Sequence, residues 1–467
     1  MIVLDRSRWR PALLVALATV ASLVAPVAQA QNLIRDTEVE EVLHGYSDPL
    51  MVAAGLEPKD VEIILINDKS LNAFATAGQI MGLHTGTIIE ADSPNQLKGV
   101  IAHEIGHIAG GHPVRSGEMS RAGMKPFLLT LGLGVLAAVA GAPDAGAALL
   151  GSSGYFGTLG ALKFSREQEG RADQAAATYL ETTGQSGRGL VDFFENFRYQ
   201  EVFSEAKRYP YFVSHPLSGD RIQGLRSRVE QAPHYSAVDS PDDVNRLTVT
   251  KAKLKAFLNA PQQTFAEYKE NDASFAARYA RAIAYYRATD TDKALKALDA
   301  LLIDQPQNPY LWELKGQVLF EAGRAGEAEV PHRRSVELKP DAPLLRINLA
   351  QAMLAQTEGR RDVAKIDAAE VELRKALAVE EDNSFAWRLM AQAHDAKGES
   401  GLARLASAEA HYVLGDLPQA KVFAMRAREQ LETTSPGWRR ATDIVLASEP
   451  TRDDLKVIAR DSRGQGG

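Results

Sequence analysis

The stretch Ala102 to His112, AHEIGHIAGGH, brings three histidines and one glutamate into eleven residues. His103 and His107 are four apart, so on a helix their imidazoles leave one face a turn apart and can reach a single ion. Glu104 lies beside that face, where a carboxylate can take a proton from water activated by the metal. HExxH thus offers two ligands and a general base in one turn. A third ligand is still needed. The pattern HExxHxxGxxH would draw it from the same segment, but the position of its last histidine is Pro113, and His112 comes one residue early. That slip turns the side chain away from the ion, so His112 is expected at the helix end and not as a ligand. A glutamate from a second helix is the other solution. In SREQEGRADQAAATYL, from Ser165, Glu169 and Asp173 are four apart on one helical face. Glu169 can bind the ion while Asp173 hydrogen-bonds the outer nitrogen of a ligand histidine and fixes its tautomer. Glu167 competes, but it has no acidic partner four residues on. ExxxD alone is the ordinary pattern of an exposed charged helix; beside HExxH it becomes specific.

These side chains need elements to hold them. Ser93-Pro94-Asn95-Gln96 is a capping box with proline at the first helical position. Leu97, Val100, Ile101, Ile105 and Ile108 then recur at helical spacing and predict the core-facing stripe of the HExxH helix. Upstream, VEIILIND reads as a buried strand and IMGLHTGTI (Ile80 to Ile88) as a strand with glycines.

With the HEIGH core, SREQEGRAD, NAFA (Asn72 to Ala75), IMGLHTGTI and SHPLSGDRI (Ser214 to Ile222) in view, the chain resembles the HtpX and CAAX-prenyl-protease family of zinc metallopeptidases over residues 35 to 230. The resemblance implies a gluzincin-type fold, helical with a small β-sheet, and one zinc ion on His103, His107 and Glu169 with Glu104 as base. It places His215 close to the metal, either stabilising the tetrahedral oxyanion or filling the open metal position in a resting state. Arg221 is then expected to pair with Glu169 or Asp173, or to bind substrate carbonyls. Related zinc proteases bind extended substrate on an exposed strand beside the metal helix; an ordinary core strand is the competing reading for residues 55 to 90. Gly170-Arg171 departs locally from the family pattern without touching a ligand, though Gly170 lowers helix propensity.

The rest of the chain sets the context. At 467 residues, 45% hydrophobic and 24% charged, it should form more than one domain of ordinary soluble balance. A formal charge of −7 without a basic run argues against a nucleic-acid partner, and the lack of cysteine removes thiolate chemistry and disulfides. Arg6, Arg8 and Arg10 precede an apolar stretch from Ala12 to Val24 and an Ala28-Gln29-Ala30 cleavage pattern, so residues 1–30 are expected to be a signal peptide. Residues 31–231 are expected to be the peptidase domain. Within it the apolar insert 127–164 is too short before Pro143 for the ~20 residues of a span, and it is expected to be a buried or lid-like helical pair, with a membrane-dipping surface as the alternative.

A polar linker, 232–245, leads into an Ala-rich segment with a 34-residue period: Pro306 and Pro340; Arg278, Trp312 and Arg346; the small residues Ala282, Gly316 and Ala350; Ala294 and Ala328. The register resumes 41 residues on at Trp387 and Ala391, one repeat carrying a seven-residue insertion. This is the tetratricopeptide pattern, so 246–460 is expected to be an α-solenoid with a concave groove, and 461–467 a disordered tail. The fold class is therefore mainly α. An export signal before and helical repeats behind such a peptidase imply, by resemblance, a periplasmic enzyme. Its expected substrates are misassembled outer-membrane β-barrel proteins, with their assembly machinery as partner of the repeats; peripheral membrane contact through 127–164 is a further expectation. The alternative is a chaperone or assembly scaffold whose peptidase site is mostly latched.

Overall fold

The computed structural model describes residues 33–113, 165–203, 215, 218–360 and 362–463. The expected signal peptide, the insert 127–164 and the last four residues lie outside these.

Asp36 caps the first helix, α1 (Thr37–Ala53), its side chain accepting from Val39 N. Isoleucines at 63, 64 and 66 favour extended backbone, and Glu62–Ile66 is strand β2. It pairs antiparallel with β1 (Leu33–Ile34) and parallel with β4 (Ile80–His84), which pairs antiparallel with β3 (Ala73–Thr76). The order β1-β2-β4-β3 leaves β3, the NAFA segment, as an edge. The strand expected over Ile80 to Ile88 is only half a strand, because Thr85–Glu90 is a short helix, α2. Tertiary bonds override β-propensity there: Thr85 Oγ1 donates to Asp68 O at 2.9 Å and Thr87 Oγ1 to Asn72 O at 2.6 Å.

The HExxH helix is α3 (Pro94–Ala109). Ser93 Oγ accepts from Gln96 N at 3.2 Å, while Gln96 Oε1 reaches back to Asp92 N at 2.9 Å, a capping box displaced by one residue. All five residues of the predicted stripe are buried, in one core with Tyr46 and Leu50 of α1, Met81 and Leu83 of β4, and Phe193. The helix over 165–182 (α4), α5 (Arg188–Phe203) and α6 (Gly219–Glu230) complete this part.

α7 (Pro241–Leu258) starts inside the expected linker, capped by Ser240, and α8 (Pro261–Glu267) follows. Then come helix pairs: α9 (Phe275–Arg287) with α10 (Thr291–Asp304), α11 (Pro309–Glu321) with α12 (Ala325–Leu338), and α13 (Pro343–Ala355) with α14 (Val363–Leu377). Two more pairs follow, α15 (Ser384–Lys397) with α16 (Ser400–Val413) and α17 (Leu417–Arg428) with α18 (Pro436–Ala447). The last helix, α19 (Arg452–Arg463), takes in the first three residues of the expected tail. The sequence register has a structural counterpart. Trp312 Nε1 donates to Pro306 O at 2.9 Å, Arg346 Nε to Pro340 O at 2.8 Å and Trp387 Nε1 to Glu381 O at 2.7 Å, one bond repeated across three pairs.

The two parts touch extensively. Lys253 of α7, 4% exposed, lies 2.7 Å from Asp36 Oδ2 and 2.9 Å from Glu38 Oε2. Tyr279 donates to Glu38 at 3.0 Å, and Glu41 accepts from Tyr310 and pairs with Lys339 at 3.0 Å. On the other side, Lys98 of α3 reaches Asp243 at 2.8 Å, and Asn95 N donates to Asp239 at 3.0 Å.

Candidate metal centre

Gly106, inside HEIGH, lets α4 come close to α3: a Cβ there would stand 2.9 Å from Ala172 O. That approach brings Glu169 against the histidines. His103 Nε2 and His107 Nε2 are 3.1 Å apart, and the Glu169 carboxylate lies 3.4 Å from each. His215, just before α6, puts Nδ1 3.1 Å from Glu169 Oε2 and 3.3 Å from His103 Nε2. Ligand atoms of His103, His107, Glu169 and His215 all fall within 4.8 Å of one another, and all four residues are buried. Glu167 is exposed.

Behind these atoms is a layer of charge. His103 Nδ1 is 3.0 Å from Asp173 Oδ1. Arg221 donates to both Asp173 oxygens at 2.8 Å, a bidentate pair, and lies 3.1 Å from Glu169. The guanidinium also sits 5.5 Å over the Phe194 ring, which packs edge-on against His103 with centroids 6.0 Å apart. Burial works against the charged forms of Glu169 and Asp173, but His103 with His215 for the first, and His103 with Arg221 for the second, hold both carboxylates below their usual range.

Glu104 is fully buried, and its oxygens accept no hydrogen bond within 3.5 Å among the described residues. Its neighbours are His215 Nε2 at 3.6 Å and the Ala75 backbone of edge strand β3. Burial pushes its carboxyl upward, while the charges of His215 and His103 pull it back. A buried carboxylate that accepts no close hydrogen bond among the described residues, beside two imidazoles and a second carboxylate, fits a divalent ion and its water. The donor set of nitrogen and oxygen is that of catalytic zinc sites.

Residues 34–229 match the profile of peptidase family M48, and residues 279–343 match a tetratricopeptide repeat. Residues 34–229 are an M48 peptidase domain. The chain thus joins an M48 metallopeptidase domain to tetratricopeptide repeats, as the resemblance implied. It is homologous to the β-barrel assembly-enhancing protease of Escherichia coli (strain K12), 26% identical over 86% of this chain and 81% of that protein, and to its Yersinia pestis counterpart at 25% over 83% and 79%. The metalloprotease LoiP of Escherichia coli is 33% identical over a shorter stretch, 34% of this chain and 60% of LoiP.

The M48 domain brings together every residue singled out from sequence: His103, Glu104, His107, Glu169, Asp173, His215 and Arg221. Arg221 pairs with both acids rather than one. Two contacts of the site have no counterpart in the sequence reading. Phe194 carried no signal beyond an apolar helix face. His112 does not simply end the helix; its ring turns back to His107, with the two Nδ1 atoms 3.0 Å apart. The glycine pair before it was the available signal. Among the described residues no helix is long and apolar enough to cross a membrane.

Proposed function

We propose that the chain is a zinc endopeptidase in which His103, His107 and Glu169 hold the ion and Glu104 is the general base. The observation that carries this reading is the convergence of four buried ligand atoms within 4.8 Å beside the buried carboxylate of Glu104, which has His215 Nε2 3.6 Å away. Bound zinc supplies a Lewis acid that polarises the scissile carbonyl and acidifies water. Glu104 takes the proton of the attacking water on a carboxylate oxygen and returns it to the leaving amine. Asp173 holds His103 from its outer nitrogen, and Arg221 fixes Asp173 and Glu169 together. The edge of β3, unpaired among the described residues and next to Glu104, offers backbone groups to an extended substrate, a mode suited to unfolded segments.

The named relatives, the export-like N-terminus and the repeats support a reading of the cellular setting. The enzyme acts in the periplasm on misassembled outer-membrane β-barrel proteins, and the repeats recruit their assembly machinery. Residues 31–231 form the peptidase unit and 246–460 the repeat unit. One observation favours a second reading, a scaffold whose peptidase is mostly latched: His215 Nδ1 lies among the ligand atoms, where an imidazole closes the position that substrate and water require.

Zinc analysis together with digestion of an unfolded protein, wild type against Glu104→Gln, tests the catalytic assignment. The variant should keep zinc and fold but lose proteolysis, because an amide cannot accept the proton. Normal turnover by Glu104→Gln would overturn it.

A further inference from the structure

The end of α3 is built to return a side chain to the ion site. Gly111 has φ +65°, the left-handed region that favours glycine. Its N–H donates to Ile108 O at 2.9 Å, and His112 N–H donates to His107 O at 3.0 Å, the paired closure of a Schellman turn. The turn folds His112 back beneath the helix. Its ring meets that of His107 with centroids 4.9 Å apart and planes at 78°, and the two Nδ1 atoms are 3.0 Å apart. Both residues are 7% exposed. The ring of His112 is bedded on Gly110, where a Cβ would stand 2.7 Å from its Nε2. Three consecutive residues, Gly110, Gly111 and His112, thus act together: one turns the chain, one leaves room, one supplies the nitrogen.

His107 faces the ligand cluster with Nε2, so its Nδ1 is the outer nitrogen. We infer that His112 is a positioning residue for His107: its Nδ1 accepts the Nδ1 proton of His107 and so holds the Nε2 lone pair of His107 towards the metal. The inference rests on the reading that His107 is a ligand. The arrangement mirrors that of His103, whose Nδ1 faces Asp173 at 3.0 Å. Each ligand imidazole is gripped from behind, one by a carboxylate and the other by a neutral ring.

The difference has a charge rationale. Glu104, Glu169 and Asp173 are buried carboxylates, and a divalent ion with Arg221 balances them. A second Asp behind His107 would leave an uncompensated negative charge in a closed site, whereas an imidazole acceptor adds none. His112 is itself no ligand, since its Nδ1 is directed at the outer side of His107 and it stands outside the four-residue group.

The test uses the full chain and measures zinc affinity by competition with a chromophoric chelator, alongside the unfolding midpoint without metal. His112→Ala should weaken zinc by about 10- to 100-fold, the usual cost of losing a partner behind a metal-bound histidine, with little change in the metal-free midpoint. His112→Asn, whose Oδ1 occupies the place of Nδ1 as an acceptor, should restore most of the affinity. Gly110→Ala should weaken zinc without removing any polar group, by displacing the His112 ring. Unchanged affinity in His112→Ala would overturn the inference. So would equal losses in the Ala and Asn variants accompanied by a lower metal-free midpoint, which would make His112 a packing residue only. Glu169→Ala separates this from the ligand reading: if it binds zinc as wild type does, the proposed ligand set fails, whatever His112 does.

Discussion

Glu167 and Glu169 stand two residues apart on one helix and meet opposite surroundings. Glu167 is exposed, and Glu169 is 4% exposed between His103, His107, His215 and Arg221. Glu169→Ala should therefore lower zinc affinity by more than the roughly 10- to 100-fold that an outer partner costs, and Glu167→Ala should leave it near wild type. Metal analysis of the two purified variants decides, and the reverse order would move the ligand. His215 makes a second prediction with two signs. As a latch on the ion, its loss in His215→Ala raises basal cleavage of an unfolded substrate. As an oxyanion donor, its loss cuts kcat by about 10²- to 10³-fold. The position of Nδ1 among the ligand atoms favours the rise, and unchanged kcat and KM would remove both roles. At this scale the sequence was informative because His-Glu spacing on a helix is a rigid ruler: fixed rise and rotation turn residue numbers into directions. At His112 it gives the place, past the helix end and outside the ligand group, but not the direction of the ring. There a left-handed glycine reverses the chain, so helical phase no longer says where the ring points.

Among the elements, helices announced by caps and period were legible. Ser93-Pro94 marked α3, and the 34-residue period marked the pairs, because close helix contacts demand small residues at fixed places. Gly316 shows why: a Cβ there would meet the His332 ring at 2.7 Å. The second half of Ile80 to Ile88 was misread since its helix is held by bonds to Asp68 and Asn72, which no local pattern displays. His332 carries its own consequence. It is 2% exposed, its Nδ1 lacks a hydrogen-bond partner among the described residues, and burial pushes its pKa down from 6.5 to about 4. The unfolded chain then binds the proton that the folded one refuses, so stability is full above pH 6.5 and falls as pH drops through about 4. The loss contributed by this residue should reach about 3 kcal/mol. Unfolding of the whole chain at neutral and mildly acidic pH should show a smaller acid loss in His332→Leu than in wild type; equal losses would put the proton elsewhere.

Across the molecule, the acidic first turn of α1 is clasped by the repeats. Lys253→Met would leave the buried Glu38 and the half-buried Asp36 without their cation, beside the half-buried Glu313. The cost of breaking such a pair is about 3–5 kcal/mol, readable as a lower unfolding midpoint of the full chain, and a variant as stable as wild type would show the contact to be slack. The sequence hid this contact because the partners lie 217 residues apart. Composition placed a linker at 232–245, and α7 begins within it and packs on both sides. α7 gives Leu247 and Leu254 to the core of the peptidase part, and Val249, Ala252 and Ala256 to the core of the first repeats. One helix is thus owned from both sides. A chain ended at Gln231 would lose two side chains from the interior of the peptidase and expose the face they cover, however polar the cut site. The folding unit of the peptidase is accordingly larger than the 34–229 match, because α7 belongs to its core as well as to that of the repeats.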